Sequence, residues 1–161
     1  KKLKRTLSKK KINVKKVPIK DFKNFYKSYF DTFNKKISYV DAKIAISKDF
    51  YTINSKAKWI TNKNSRDRGH LLRSEYDAIM STSKSINEDN SVLNCRLDGF
   101  DNSKPDLIII DLKLKIKKDL KIFKKNIKRK ITIVTSVKKS DKLVYFKNKG
   151  IKFIIYCAFI I

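Results

Sequence analysis

Three short, largely apolar runs set the frame for this chain: Leu107 to Ile110 between two aspartates, Ile131 to Thr135, and Ile151 to Tyr156. The first two, bounded by polar residues, suit strands covered on both faces, and the third reads as the last strand. Helix signals fall between them. Ser140 can cap a helix running to about Lys149, and Gly150 supplies the stop. Upstream, Asn62 to Glu75 reads as a helix carrying Leu71 and Leu72, and Asp77 to Ser81 as a short strand. Ser85 to Arg96 is mixed, and Leu97 to Lys104 reads as a loop around Gly99. Strands separated by helices, with little hairpin chemistry, predict an α/β sheet that is at least partly parallel.

The first third of the chain carries different patterns. Lys1 to Lys16 is basic, with a strand-like run from Ile12 to Val17. Pro18 stands at a helix start, and Asp21 in the first turn suits the helix dipole. Phe22, Tyr26, Tyr29, Phe30 and Phe33 then fall on one helical face with lysines opposite. Aromatics among lysines can stack nucleic-acid bases, but the helical period favours a core-facing stripe. Ile37 to Ser47 alternates as a strand does, through Tyr39, Ala42, Ile44 and Ile46; a polar loop from Lys48 to Lys58 leads to Trp59. The last strand-like run is followed almost at once by Ile161, where a parallel fold normally continues into a crossover, so the chain is expected to be part of a longer protein.

The net charge of +26 over 161 residues draws such a chain toward polyanions, which makes a basic RNA-binding or ribosome-associated protein the rival reading. The base is almost wholly lysine, with arginine only at positions 5, 66, 68, 73, 96 and 129. A dedicated nucleic-acid surface would carry more guanidinium, the better bidentate reader. No specific nucleic-acid partner is expected. The apolar runs are too short for a bilayer, which takes roughly 20 residues per helix, so no membrane partner is expected and a cytoplasmic location fits. Cys95 and Cys157 show neither metal spacing nor a disulfide framework, and a single histidine, His70, cannot complete a zinc site with them. The glycines at 69, 99 and 150 form no dinucleotide fingerprint and no P-loop. A Ser-His-Asp triad would need a nucleophile elbow, which is missing; a lone helix histidine is more often structural.

One constellation does point to chemistry. On the expected helix, Arg66, His70 and Arg73 lie at spacings of four and three, on one face. Convergent arginines suit a phosphate, each charge-assisted contact contributing about 1.5–3 kcal/mol when desolvated. The alternative is a solvated basic face. From the residues alone, the reading is an α/β domain with a candidate anion site.

Tyr39-Val-Asp-Ala-Lys-Ile-Ala-Ile-Ser-Lys-Asp49, Lys58-Trp-Ile-Thr61, Leu71-Leu-Arg-Ser-Glu-Tyr-Asp-Ala-Ile79, Ser83 to Arg96 and Leu107-Ile-Ile-Ile-Asp111 together resemble a known family. It is the reductase domain found as the C-terminal half of the bacterial riboflavin-biosynthesis deaminase/reductases, the RibD family. The order and spacing match from about residue 37 to 111.

The resemblance implies a dihydrofolate-reductase-like α/β fold, here incomplete in the C-terminal part of the sheet. It also implies NADPH-dependent reduction of 5-amino-6-(5-phosphoribosylamino)uracil to the ribitylamino product. Residues 1–17 would be the junction after an absent deaminase domain, and 18–161 the first part of the reductase. Ala45, Trp59, Ser85, Asp89 and Leu112 would contact the cofactor; Ala57, Arg73, Leu93 and Arg96 the phosphoribosylamino-pyrimidine substrate. No residue matches a known catalytic acid, and no metal is implied. The complete protein would be a homodimer.

The chain departs from the family pattern at four positions: Phe50 replaces a glycine, Ala57 a serine, Ser91 a proline and Leu112 a polar residue. The family's later Glu-Gly-Gly segment, which supplies a substrate carboxylate and a glycine-rich cofactor loop, has no counterpart here. These differences lead us to expect a fragment that is inactive by itself.

Overall fold

The computed structural model describes residues 2–15, 19, 21–52, 59–100, 104–124 and 129–157. The chain divides into two units, residues 1–43 and 44–161.

The first unit is helical. Helix α1 spans Lys2–Lys9, so the basic leader folds as a helix, and no strand forms over the described residues 12–15. Phe22–Phe25 forms the short helix α2, and Lys27–Lys35 forms α3, ended by Lys36 at φ +53. Pro18 lies outside the described residues. The aromatic stripe is helical as expected but does not reach a core: Tyr29 and Phe33 are 57% and 73% exposed. The rings meet one another instead, Tyr29 stacking on Phe33 with centroids 5.7 Å apart. Residues at i+3 and i+4 always touch along a helix. Burial also needs a second layer, which the described residues of this unit do not provide.

A second expectation fails for the same reason. Residues 37–47 alternate like a strand, yet carry no ladder, and Val40 and Ile44 stay exposed. Alternation prepares a face for a sheet; it does not supply the neighbouring strand that makes one.

The second unit is built on a sheet. Helix α4, Lys63–Glu75, starts where Asn62 Oδ1 accepts the Ser65 N–H at 2.9 Å. Strand β1 (Ala78–Thr82) runs directly into helix α5 (Ser83–Asp89), capped by the Thr82 hydroxyl. Strand β2 (Asp106–Ile110) follows, then a one-turn 3-10 helix at Lys121–Phe123 and strand β3 (Ile131–Thr135). Helix α6 (Asp141–Asn148) has Ser140 as its cap, with Oγ accepting the Leu143 N–H at 3.1 Å, and Gly150 behind it at φ +79. Strand β4 (Lys152–Ile155) completes a sheet of order β1-β2-β3-β4, all parallel. The α/β reading from the three apolar runs is therefore the fold of this unit.

The core lies on one face of the sheet. Leu107, Ile109 and Ile133 are fully buried, together with Ile86 of α5 and Leu143 and Phe146 of α6. Strands β2 and β3 were expected to be covered on both faces. Instead β2 alternates, with Ile108 and Ile110 half-buried, and β4 is an edge whose Ile154 is 55% exposed. Residues 112–123 add Leu114, Ile116, Leu120 and Ile122 to the core without joining the sheet. Side chains replace the ladder there. Asn87 Oδ1 accepts the Lys117 N–H at 2.9 Å and its Nδ2 donates to the Lys115 carbonyl at 3.1 Å, while Asn90 Oδ1 accepts the Lys121 N–H at 2.9 Å. Satisfying backbone groups in this way lets an irregular segment be packed against a core. No helix among the described residues is long and apolar enough to cross a membrane.

Candidate functional site

Helix α4 brings His70 and Arg73 together one turn apart, and the segment after α5 brings Arg96 to them from 23 residues further on. Arg96 Nε and Nη2 lie 3.3 and 3.2 Å from His70 Nε2. On the other side of the ring, Arg73 Nη1 lies 3.4 Å from Nδ1 and donates to the Asn94 carbonyl at 3.0 Å. The two guanidiniums thus converge on one imidazole. Among the described residues neither is ion-paired; the salt bridges there are Lys35–Asp31 and Arg68–Glu75.

The electrostatics follow from that crowding. Burial, then the neighbouring Arg96 charge, lowers the Arg73 pKa. Burial, then Arg73 and Arg96, lowers that of His70, against a hydrogen bond to the Asn94 carbonyl and the charge of Asp67. Two cations held close together without a carboxylate are an electrostatic vacancy for an anion.

Arg66, on the same helical face, is used differently. It donates to the Thr61 carbonyl and places its guanidinium 4.8 Å from the centre of the Trp59 ring. That contact orients the indole, which is 53% exposed.

The carboxyl ends of the parallel strands carry further candidates. Thr82 pairs with Ile110 in register, so Ser85, just beyond β1, and Leu112, just beyond β2, stand at the same end of the sheet. Ser85 and Asp89 are four residues apart on α5, both exposed on one face. Leu112 presents a 44% exposed side chain because its carbonyl is held by the Thr135 hydroxyl at 3.1 Å and by the Ser136 N–H and hydroxyl at 3.1 and 2.7 Å. Ala45 is half-buried in the stretch leading into the turn at Ser47–Tyr51. Ala57 lies outside the described residues.

Leu93 sits at φ +56, a conformation costly for a branched side chain and found where a site constrains the backbone. Its carbonyl lies 3.4 Å from Arg129 Nη1. Residue spacing alone could not have found Arg129; its one signal is being an arginine in a chain of lysines. Among the described residues its Nε and Nη2 are buried without a hydrogen-bond partner, and burial pushes its pKa down to about 10, so it stays charged at neutral pH.

The fold and site define an α/β domain with a four-stranded parallel sheet, in which Arg73 of α4 and Arg96 of the segment after α5 meet at His70. Residues 38–157 match the family described as the RibD C-terminal domain. This chain belongs to that family. It is 31% identical over 108 residues to the riboflavin biosynthesis protein RibD of Aquifex aeolicus, a match covering 67% of this chain and 30% of that protein. Among solved structures it resembles the Acinetobacter baumannii RibD, with a TM-score of 0.70 at 18% identity over 98% of this chain and 44% of that one. It also resembles the Thermotoga maritima diaminohydroxyphosphoribosylaminopyrimidine deaminase/5-amino-6-(5-phosphoribosylamino)uracil reductase, with a TM-score of 0.62 at 21% identity over 83% of this chain and 43% of that one. The chain thus spans less than half the length of these relatives. The likeness establishes the fold as dihydrofolate-reductase-like α/β.

Proposed function

We propose that this chain contributes to an NADPH-dependent reductase acting on 5-amino-6-(5-phosphoribosylamino)uracil in riboflavin biosynthesis, with 18–161 as its reductase part and 1–17 as a junction. The observation that carries the proposal is the convergence of Arg73 and Arg96 without a carboxylate partner among the described residues. A phosphoribosyl substrate presents the dianion such a pair would hold.

The exposed groups also suit a dinucleotide. Ser85 and Asp89 offer a hydroxyl and a carboxylate acceptor for ribose hydroxyls, and Trp59 offers a flat aromatic face steadied by Arg66. Leu112 and Ala45 offer small apolar contacts. When bound, NADPH supplies the hydride that reduces the ribosyl carbon. The residues of this chain bind and orient: Arg73 and Arg96 would fix the phosphate end of the substrate, and Leu93 and Ala57 would flank it. A homodimer is the proposed assembly of the complete protein.

The test is fluorescence titration of the complete protein with NADPH, then of the NADPH complex with the substrate. The expected result is saturable NADPH binding that survives moderate salt. Arg73→Ala and Arg96→Ala should each weaken substrate binding about tenfold or more while leaving NADPH affinity intact. A folded complete protein that ignores NADPH, or arginine variants with unchanged substrate affinity, would refute the reading.

A further inference from the structure

A neutral imidazole has one N–H and one lone pair, so His70 can accept a hydrogen bond at one nitrogen only. Arg96 Nε donates to Nε2 at 3.3 Å, with Nη2 at 3.2 Å, which places the lone pair on Nε2 and the ring N–H on Nδ1. The ring is therefore a hinge-pin between the arginines. Arg73, anchored on Asn94, is independent of it; Arg96 depends on it.

We propose that His70 is a positioning residue of the anion site: its neutral ring holds the Arg96 guanidinium, and when a dianion binds between Arg73 and Arg96 the ring takes up a proton and becomes a third cation facing it. This rests on the reading that these two arginines hold the substrate phosphate. An imidazolium has no lone pair, so protonation alone would turn an N–H toward the Arg96 donors and push that side chain away. The groups facing the ring are Arg73 and Asp67 on α4, and Arg96 and the Asn94 carbonyl on the opposing segment. One carboxylate against two guanidiniums disfavours the extra proton, in keeping with the lowered pKa. A bound dianion reverses that balance. Linkage then requires the reverse coupling, so that protonating His70 tightens anion binding.

The chain holds a single histidine, so its ring resonance in a proton NMR pH titration is unambiguous. The full chain is titrated in chloride and in sulfate at equal ionic strength, sulfate being a dianion whose charge does not change near neutrality. The expected result is a midpoint below the ordinary histidine value in chloride that moves up by about one unit in saturating sulfate. That movement should vanish in Arg96→Ala. Sulfate affinity should tighten up to about tenfold as pH falls through the midpoint. His70→Gln, whose amide can still accept from Arg96 but cannot titrate, should bind sulfate with no such pH dependence. An unmoved midpoint, an equal shift in Arg96→Ala, or pH dependence persisting in His70→Gln would each overturn the role of His70. NADPH titration of the complete protein separates the two readings. NADPH binding without coupling removes only the role of His70; coupling without NADPH binding removes only the reductase assignment.

Discussion

The carboxylate of Asp111, at the end of β2, accepts the Ile116 N–H at 2.7 Å and, through its other oxygen, the Lys115 N–H at 2.8 Å. One side chain thereby closes the turn that carries Leu112 past the carboxyl end of the sheet and sends Leu114 and Ile116 back into the core. Asp111 is 3% exposed, so these donors have no ready solvent substitute. Asp111→Ala should cost about 3 kcal/mol, two charge-assisted bonds lost with the Ile116 donor left buried. Urea denaturation of the two proteins measures it; a cost near zero would mean the turn is held by its backbone alone.

The turn at Ser47–Tyr51 carries the opposite kind of feature. Ser47 N–H donates to the Tyr51 carbonyl at 2.8 Å, and the turn places Phe50 at φ +65 with its ring 80% exposed. The aromatic side chain therefore stabilises little while its Cβ strains the backbone by roughly 1–2 kcal/mol. Glycine relieves that strain but adds about 0.4–1 kcal/mol of unfolded-state entropy. Phe50→Gly should accordingly gain about 0.5–1 kcal/mol net. Phe50→Val, with a branched Cβ in the same conformation, should lose stability. If thermal melts place both variants on the same side of the parent, the strain argument is wrong.

How far the sequence could be read depended on whether a signal was local. Strands β2 and β3 and helix α6 were legible because an apolar run, a capping serine and a stop glycine each act on their own neighbours. Residues 112–123 were not assigned, although Leu114 and Ile116, and Leu120 and Ile122, alternate with lysines. Their backbone partners are Asp111, Asn87 and Asn90, and no pattern announces such side chains as substitutes for a ladder. The Phe22–Phe33 stripe and the alternation at 37–47 were legible as helix and extended chain but misleading about burial, because burial belongs to the neighbour as much as to the face. At the site, Arg73 came from helical spacing and Arg96 from the family resemblance. Their meeting at His70 is a tertiary fact, and an isolated helix histidine looked structural because both its partners are cations.

That arrangement makes a prediction about stability and pH. The folded-state pKa of His70 is depressed, so the unfolded chain takes up the proton first as pH falls below the ordinary value of 6.5. The contribution of His70 is therefore fully present above that value and is lost as pH drops through the depressed one. Urea midpoints measured in chloride should show this slope in the parent and lose it in His70→Gln. Parallel curves for the two proteins would mean that the ring titrates alike in both states.

Arg129 offers the sharpest test of electrostatic cost. Its Nη1 makes one long contact, 3.4 Å to the Leu93 carbonyl, while Nε and Nη2 are buried and unpartnered. Asp106 opposes the burial that weakens its hold on the proton. A buried donor without an acceptor costs roughly 1–3 kcal/mol, and the long contact returns about 0.5 kcal/mol. Arg129→Met keeps the length of the side chain and removes the donors, so it should stabilise the chain by about 1 kcal/mol. Arg129→Lys keeps the charge, loses the contact and should gain nothing. Should Met instead destabilise, and substrate affinity fall with it, the guanidinium would be holding Leu93 in its left-handed conformation for the ligand, and its buried nitrogens would be facing the site rather than the core.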